Sequence, residues 1–222
     1  MNLITVPPLR VEAHAFGSAD LCSGHVVLDF VNTAAGLNRD PRDWLDSFAR
    51  LVCWAALAGV CDSDRQSELL AMDRANPNAG VGALDHARSL RSAIYELVHA
   101  SRAGTIPSRS SVATLQSWCR RGGRAVDLNW QNGRLQSSQE SAGIDVITTT
   151  IAAAAVEFLQ DYCGNQIGVC DGRNCGWLFL DTSKSRRRRW CNMKTCGNAA
   201  KASRSYYRHR PAKRLIVPKS PT

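Results

Sequence analysis

The chain has no Gly-rich phosphate loop, no nucleophile elbow and no internal repeat. The first two absences remove the commonest local signatures of nucleotide-binding and hydrolytic enzymes. His-x-Glu, which a zinc deaminase needs ahead of its cysteine pair, does not occur either. Long apolar runs are missing: Leu51 to Val60 is the longest and is too short to span a bilayer. Met1 to Gly17 lacks a basic start followed by an apolar block, so no secretion signal is expected. Acidic residues are scarce in one place only. From Gln166 onward just Asp171 and Asp181 oppose 14 Lys+Arg, a balance of +12, whereas the first 165 residues carry 14 Arg against 17 acids, or −3. A basic module on a mildly acidic body is the electrostatic footprint of nucleic-acid binding.

What is present is a soluble composition, 44% apolar and 21% charged, with nine cysteines. That cysteine count without a secretion signal points to a reducing cytoplasm. Four of the nine fall in two pairs. Cys170-Asp-Gly-Arg-Asn-Cys175 is followed after fifteen residues by Cys191-Asn-Met-Lys-Thr-Cys196. Two paired thiolates on two separate elements are what a tetrahedral structural zinc needs, and Gly172 eases the bend of the first turn. Disulfides, ordinary buried thiols and a catalytic zinc are the alternatives. The first suits a secreted protein, the second would not fall in matched pairs, and the third keeps an open position, commonly with His among its ligands. The other five, Cys22, Cys53, Cys61, Cys119 and Cys163, show no metal spacing and are expected to be buried thiols.

The residues around these cysteines carry a family pattern. Cys170, the run Cys175 to Ser183, Arg186 to Arg189, Trp190-Cys191-Asn192-Met193 and Cys196-Gly197-Asn198 resemble the CGNR zinc finger. Leu28-Asp29-Phe30-Val31-Asn32-Thr33, Asp43-Trp44-Leu45 and Leu84 to Tyr95, with Arg88 and Arg91, resemble the ABATE domain found with it, an alanine-rich domain of stress-induced transcription regulators. The resemblance implies regulation without naming a target. Ala199 stands where the CGNR name has its arginine, so that arginine's role is absent or passes to Lys194, Lys201 or Arg204.

Along the chain, apolar periodicity predicts a mainly α body. A helix starts at Asp40-Pro41-Arg42-Asp43 and runs through Trp44, Leu45, Phe48 and Leu51 to Gly59. A second is capped by Ser63. Asn76-Pro77-Asn78 and the glycines up to Gly82 break the chain. Further helices cover Leu84 to about Gly104, Pro107 to Gly122, and Ile144 to Tyr162. Ala125 to Leu135, with Asn132-Gly133 at its centre, reads as a β-hairpin. Ile167 to Val169 and Trp177 to Leu180 read as two short strands around the first cysteine pair. A helix starts at Asn192 or Thr195 and ends near Arg210. The expected architecture is a helical N-terminal domain (1–165) for sensing or dimerisation, a treble-clef-like zinc module (166–212) and a basic tail (213–222).

Arg186, Arg187, Arg188 and Arg189 precede ligand Cys191 and suit either phosphate contact or support of the thiolates. Lys194, Asn198, Lys201, Ser205 and Arg208 share a face if one helix runs from Met193. With Arg204 they form the expected DNA contacts, Asn198 being equally suited to capping. Tyr206 and Tyr207 suit packing or base stacking. Asp29 and Asn32, three apart on one helix face, are expected either to tie a loop to the core or to line a small-molecule pocket. No convergent acid, base and nucleophile set is visible, so an enzyme is not expected. The leading reading is a zinc-containing transcriptional regulator that binds double-stranded DNA, with a possible effector and homodimer and no membrane. The alternative is a zinc-stabilised module for RNA or protein.

Overall fold

Short polar side chains set where the helices begin. In the computed structural model, which describes residues 8–122, 126–131, 134–139, 143–162 and 164–209, helix α1 (Val26–Val31) is capped by His25, whose Nδ1 accepts the Val27 N–H. Burial pushes the His25 imidazole below its ordinary range, which favours the neutral form that this acceptor role requires. Helix α2 (Phe48–Leu57) is capped by Ser47 and α3 (Ser63–Ala75) by Asp62. Helix α4 (Pro77–Ala103) has Asn76 as cap, Pro77 in its first turn and Gly104 at φ 64 after its end. Helices α5 (Arg109–Gly122), α6 (Val146–Asp161) and α7 (Asn198–His209) follow.

Three of these starts correct the sequence reading. Asp40-Pro41 begins no helix: Arg42–Asp43 is strand β3, between β1 (Arg10–Val11) and β2 (Ala34–Ala35). β1 runs parallel to β3 and β2 antiparallel. The reason is Asp43. Its carboxylate is buried and takes a two-pronged ion pair from Arg91 of α4, at 2.7 and 2.6 Å, with Thr33 Oγ1 accepting from the same guanidinium at 2.9 Å. A buried pair of this geometry outweighs a local capping preference. The cap of α3 is Asp62, one residue before Ser63. The break shrinks to one residue, Asn76, which ends α3 and caps α4 at once, and the glycines up to Gly82 lie inside α4. A Cβ on Gly80 would stand 1.8 Å from Asp73 Oδ1, so the glycine allows α3 and α4 to approach closely.

The hairpin appears as β4 (Val126–Gln131) and β5 (Arg134–Gln139), paired Gln131↔Arg134; its Asn132-Gly133 centre lies outside the described residues. β6 (Ile167–Val169) pairs antiparallel with β7 (Leu178–Leu180).

The main core gathers Phe30, Trp54, Leu90, Ile94, Ile151 and Phe158, among others, from the helices. Ile167, Leu178 and Leu180 of the β6–β7 ribbon belong to it too. Gly143–Asp161 is long and apolar enough to cross a membrane by length and composition alone. Its Ile147, Ile151, Ala152, Ala155 and Phe158 are buried in this core.

Candidate metal centre

The second cluster of buried side chains is built around sulfur. Cys170, Cys175 and Cys191 are buried and Cys196 half-buried, packed with Ala35, Trp177 and Phe179. The four Sγ atoms all lie within 4.8 Å of one another, with Cys175–Cys191 at 3.7 Å and Cys191–Cys196 at 3.8 Å. Four sulfurs held about 2.3 Å from one tetrahedral ion would be separated by about 3.8 Å, so spacing and donor set both fit zinc.

Each cysteine is placed by backbone geometry. Cys170 ends the β6 side and donates its N–H to Trp177 O at 2.8 Å. The turn that follows folds back through Cys175 N–H to Gly172 O at 3.2 Å, and Gly172 N–H points at Cys170 Sγ at 3.4 Å. Gly172 is required for space: a Cβ there would meet Cys196 Sγ at 2.9 Å and Cys170 Sγ at 3.3 Å. The left-handed bend belongs instead to Gly176, at φ 74. The second pair opens on Asn192, whose side chain caps Lys194 N–H at 2.8 Å. Met193–Gly197 then forms one π-helical turn, closed by Gly197 N–H to Asn192 O at 3.1 Å, and carries Cys196 inward before α7 begins.

Hydrogen bonds from the Cys175 and Cys191 thiols push the Cys170 thiol down to about 2, and the same contacts push Cys175 and Cys191 up. Burial pushes Cys196 up. Cysteine ligates as thiolate, so a cation that takes all four sulfurs must release protons, and its hold weakens as pH falls. Cys22 packs against the cluster, and a hydrogen bond from Cys191 holds its thiol below the ordinary range. Of the remaining cysteines, Cys61 and Cys119 are half-buried and Cys53 is exposed, contrary to the expectation of buried thiols; Cys163 lies outside the described residues.

Residues 24–162 match the ABATE family, described as a putative stress-induced transcription regulator. The chain belongs to the ABATE family. Residues 166–209 match the CGNR zinc finger. No curated protein matches the chain. The finger match and the sulfur geometry agree on a single structural zinc, and Cys170, Cys175, Cys191 and Cys196 form a group able to hold it.

In this ABATE protein the finger is fastened to the helical body. Asn32 uses its whole amide on β7: Nδ2 donates to Leu178 O and Oδ1 accepts Leu178 N–H, both at 2.9 Å. Leu180 N–H donates to Ser23 O at 2.7 Å. Asn38 Nδ2 donates to Gly172 O at 2.7 Å and Leu37 N–H to Cys175 O at 3.1 Å, strapping the first cysteine turn. Asp29 accepts Ser23 N–H at 3.0 Å, and burial raises its carboxyl above the ordinary range. Asn32 therefore ties a strand to the core, and Asp29 serves the neighbouring turn. Neither Asn38 nor Leu37 carried a sequence signal, since Asn38 is 134 residues from its partner.

The arginine run divides. Arg188 turns inward and donates to the carbonyls of Trp190, Leu180, Cys22 and Cys191, with its guanidinium 4.6 Å from the Phe179 ring centre. Asp181, buried beside it, accepts from Ser183 and from Arg188 N–H. Burial works against ionisation there, but these bonds hold the carboxyl below its ordinary range. Arg186, in a left-handed conformation at φ 46, donates to Asn165, and Arg189 pairs with Asp171 at 2.8 Å across exposed surface. Arg187, Lys194, Lys201 and Arg204 are exposed, with no acidic partner among the described residues. Asn198 is exposed and donates to Lys194 O at 3.1 Å. The wider π turn, and not one continuous α-helix, sets the register of Lys194 against Lys201. Arg208 lies on α7, but its side chain and that of Tyr207 are outside the described residues; Tyr206 is exposed.

Proposed function

We propose that this protein is a DNA-binding transcriptional regulator whose zinc finger grips phosphates. The observation carrying this reading is the group of exposed cations, Arg187, Lys194, Lys201 and Arg204, on a zinc-braced module without acidic partners among the described residues. Arg186 and Arg189 extend the surface, Arg208 of α7 is a further proposed phosphate contact, and Asn198 is the base-reading candidate if it releases Lys194 O. Arg188 braces the finger through backbone carbonyls and is not a phosphate ligand in this reading. Beside the surface, a groove of about 850 Å³ runs between the first cysteine turn and α7, lined by Arg173, Asn174, Ala199, Ala200 and Ser203 among others. Ala199 leaves that groove without the arginine of the family name.

The helical body (1–165) senses a ligand or dimerises, the finger (166–212) docks, and the tail (213–222) adds charge, all in the cytoplasm and without catalysis. An effector bound at Asp29 and Asn32 would have to displace both bonds of Asn32 to β7. The test is a fluorescence-anisotropy salt titration of zinc-loaded protein on duplex DNA, with single-stranded RNA as competitor. Four to six phosphate contacts give a slope of roughly −4 to −5 in log K against log salt, and Ala199→Arg steepens it by about one. Absence of duplex binding near 50 mM salt, where phosphate contacts are strongest, overturns the reading.

A further inference from the structure

A fifth cysteine stands against the metal centre. Cys22, in the stretch that leads into α1, packs on the cluster formed by Cys170, Cys175 and Cys191, and its thiol is hydrogen-bonded to that of Cys191. The other described cysteines outside the group of four keep away from it: Cys61 and Cys119 pack against the main core, and Cys53 is exposed.

The contact is built from the backbone outward. Arg188 Nη2 donates to the carbonyl of Cys22, at 3.2 Å, and also to that of Cys191, so one nitrogen holds both residues. The next carbonyl along, Ser23 O, accepts Leu180 N–H at 2.7 Å. Two consecutive residues of the body are thereby fixed to the finger, and Cys22 is kept beside its partner. Cys22 is not one of the four cysteines whose sulfurs lie mutually within 4.8 Å. A tetrahedral ion satisfied by those four leaves its thiol uncoordinated. Cys22 is half-buried, whereas Cys191 is 1% exposed, so a small oxidant arriving from solvent meets Cys22 first.

We propose that Cys22 and Cys191 form a disulfide when a peroxide oxidises Cys22, and that this bond releases the zinc. The chemistry balances in two steps. The Cys22 thiol takes one oxygen from hydrogen peroxide, giving a sulfenic acid and water as the O–O bond breaks. The Cys191 thiolate then leaves the ion and attacks that sulfur; the S–S bond forms, the S–O bond breaks and hydroxide departs. The two sulfurs together lose two electrons, and the peroxide gains them. Three thiolates remain where a structural zinc is held by four, so the ion is released. As a redox site the pair stands alone. As a control on DNA affinity it rests on the DNA-binding reading, because loss of the ion frees Cys196 and with it the turn that carries Lys194.

Treating the zinc-loaded full chain with hydrogen peroxide beside a colorimetric chelator tests this, with the cysteines mapped by mass spectrometry of a non-reducing digest. Stoichiometric zinc release, a cross-linked peptide joining Cys22 to Cys191, and zinc rebinding after dithiothreitol are expected. Cys22→Ser should keep its zinc and melting temperature before treatment and release zinc about tenfold more slowly, whereas Cys53→Ser should match wild type. Three results overturn the proposal: release from Cys22→Ser at the wild-type rate, a map that joins the four grouped cysteines only to one another, or an untreated Cys22→Ser protein without zinc, which would make Cys22 a ligand. If Cys22→Ser does not fold, the map of the wild-type chain decides alone. The Cys22–Cys191 bond with DNA affinity unchanged by peroxide keeps the redox site and removes its control of DNA binding. The same bond in a protein that binds no duplex even when reduced keeps the redox site and removes the regulator.

Discussion

Arg187 and Arg188 are adjacent, identical in side chain and opposite in circumstance. Arg188 answers four backbone carbonyls around the second cysteine pair, and charge-assisted bonds of this kind are roughly twice as strong as neutral ones. Arg187 answers no acid among the described residues. Arg188→Ala should therefore destabilise the finger by about 2–3 kcal/mol and weaken zinc retention, read as faster transfer to a colorimetric chelator. Arg187→Ala should leave zinc transfer unchanged and flatten the DNA salt slope by about one. Equal zinc transfer from both variants would remove the structural role from Arg188. Sequence placed the run beside the metal, but could not divide it, because inward or outward is decided by carbonyls as distant as Cys22. Gly172 has the same lesson: its presence in the turn was legible, whereas its cause, the approach of Cys196 from another element, was not.

At the scale of elements, helix caps and apolar periodicity located most helices. They failed at Asp40 to Trp44, where a tertiary ion pair overrides them. Arg91→Met should cost about 3–5 kcal/mol by stranding the Asp43 carboxylate in the core, less whatever Arg88, 3.2 Å from the same carboxylate, recovers. A denaturant midpoint unchanged from wild type would show that Arg88 alone suffices. Helix α4 also carries a pH-sensitive group. Burial, with Arg102 nearby, pushes His99 down to about 4, and its ring lies 4.3 Å from Tyr95. The folded value is below the unfolded one near 6.5, so the fold favours neutral His99. Its contribution is complete above about pH 6.5 and is lost as pH falls toward 4, about 1 kcal/mol by pH 5 after discounting for partial exposure. Melts at pH 7 and pH 5 should show that loss in the wild type and a smaller one in His99→Phe; identical pH dependence would exclude His99 as the source.

The whole molecule couples the finger to the body. A finger that folded independently of the body would unfold alone on losing a zinc ligand. In the structure Ile167, Leu178 and Leu180 sit in the helical core, and Asn32 holds β7 by both ends of its amide. Zinc removal should then lower the melting temperature of the helices themselves by about 10 °C, in one cooperative transition followed by circular dichroism. Cys175→Ser should melt at the same lowered temperature and retain no zinc; an unshifted helical transition in either would separate finger from body. The sequence by itself determined the helical class, the zinc and the cysteine group able to hold it, and the charge imbalance, because caps, periodicity, cysteine spacing and counted charge are local properties. Only the tertiary structure decided the buried Arg91–Asp43 pair, the inward turn of Arg188, the strap from Leu37 and Asn38, and the meeting of Cys22 with Cys191. Each of these depends on residues that distant stretches of chain bring within bonding reach, and no local pattern records which partners meet.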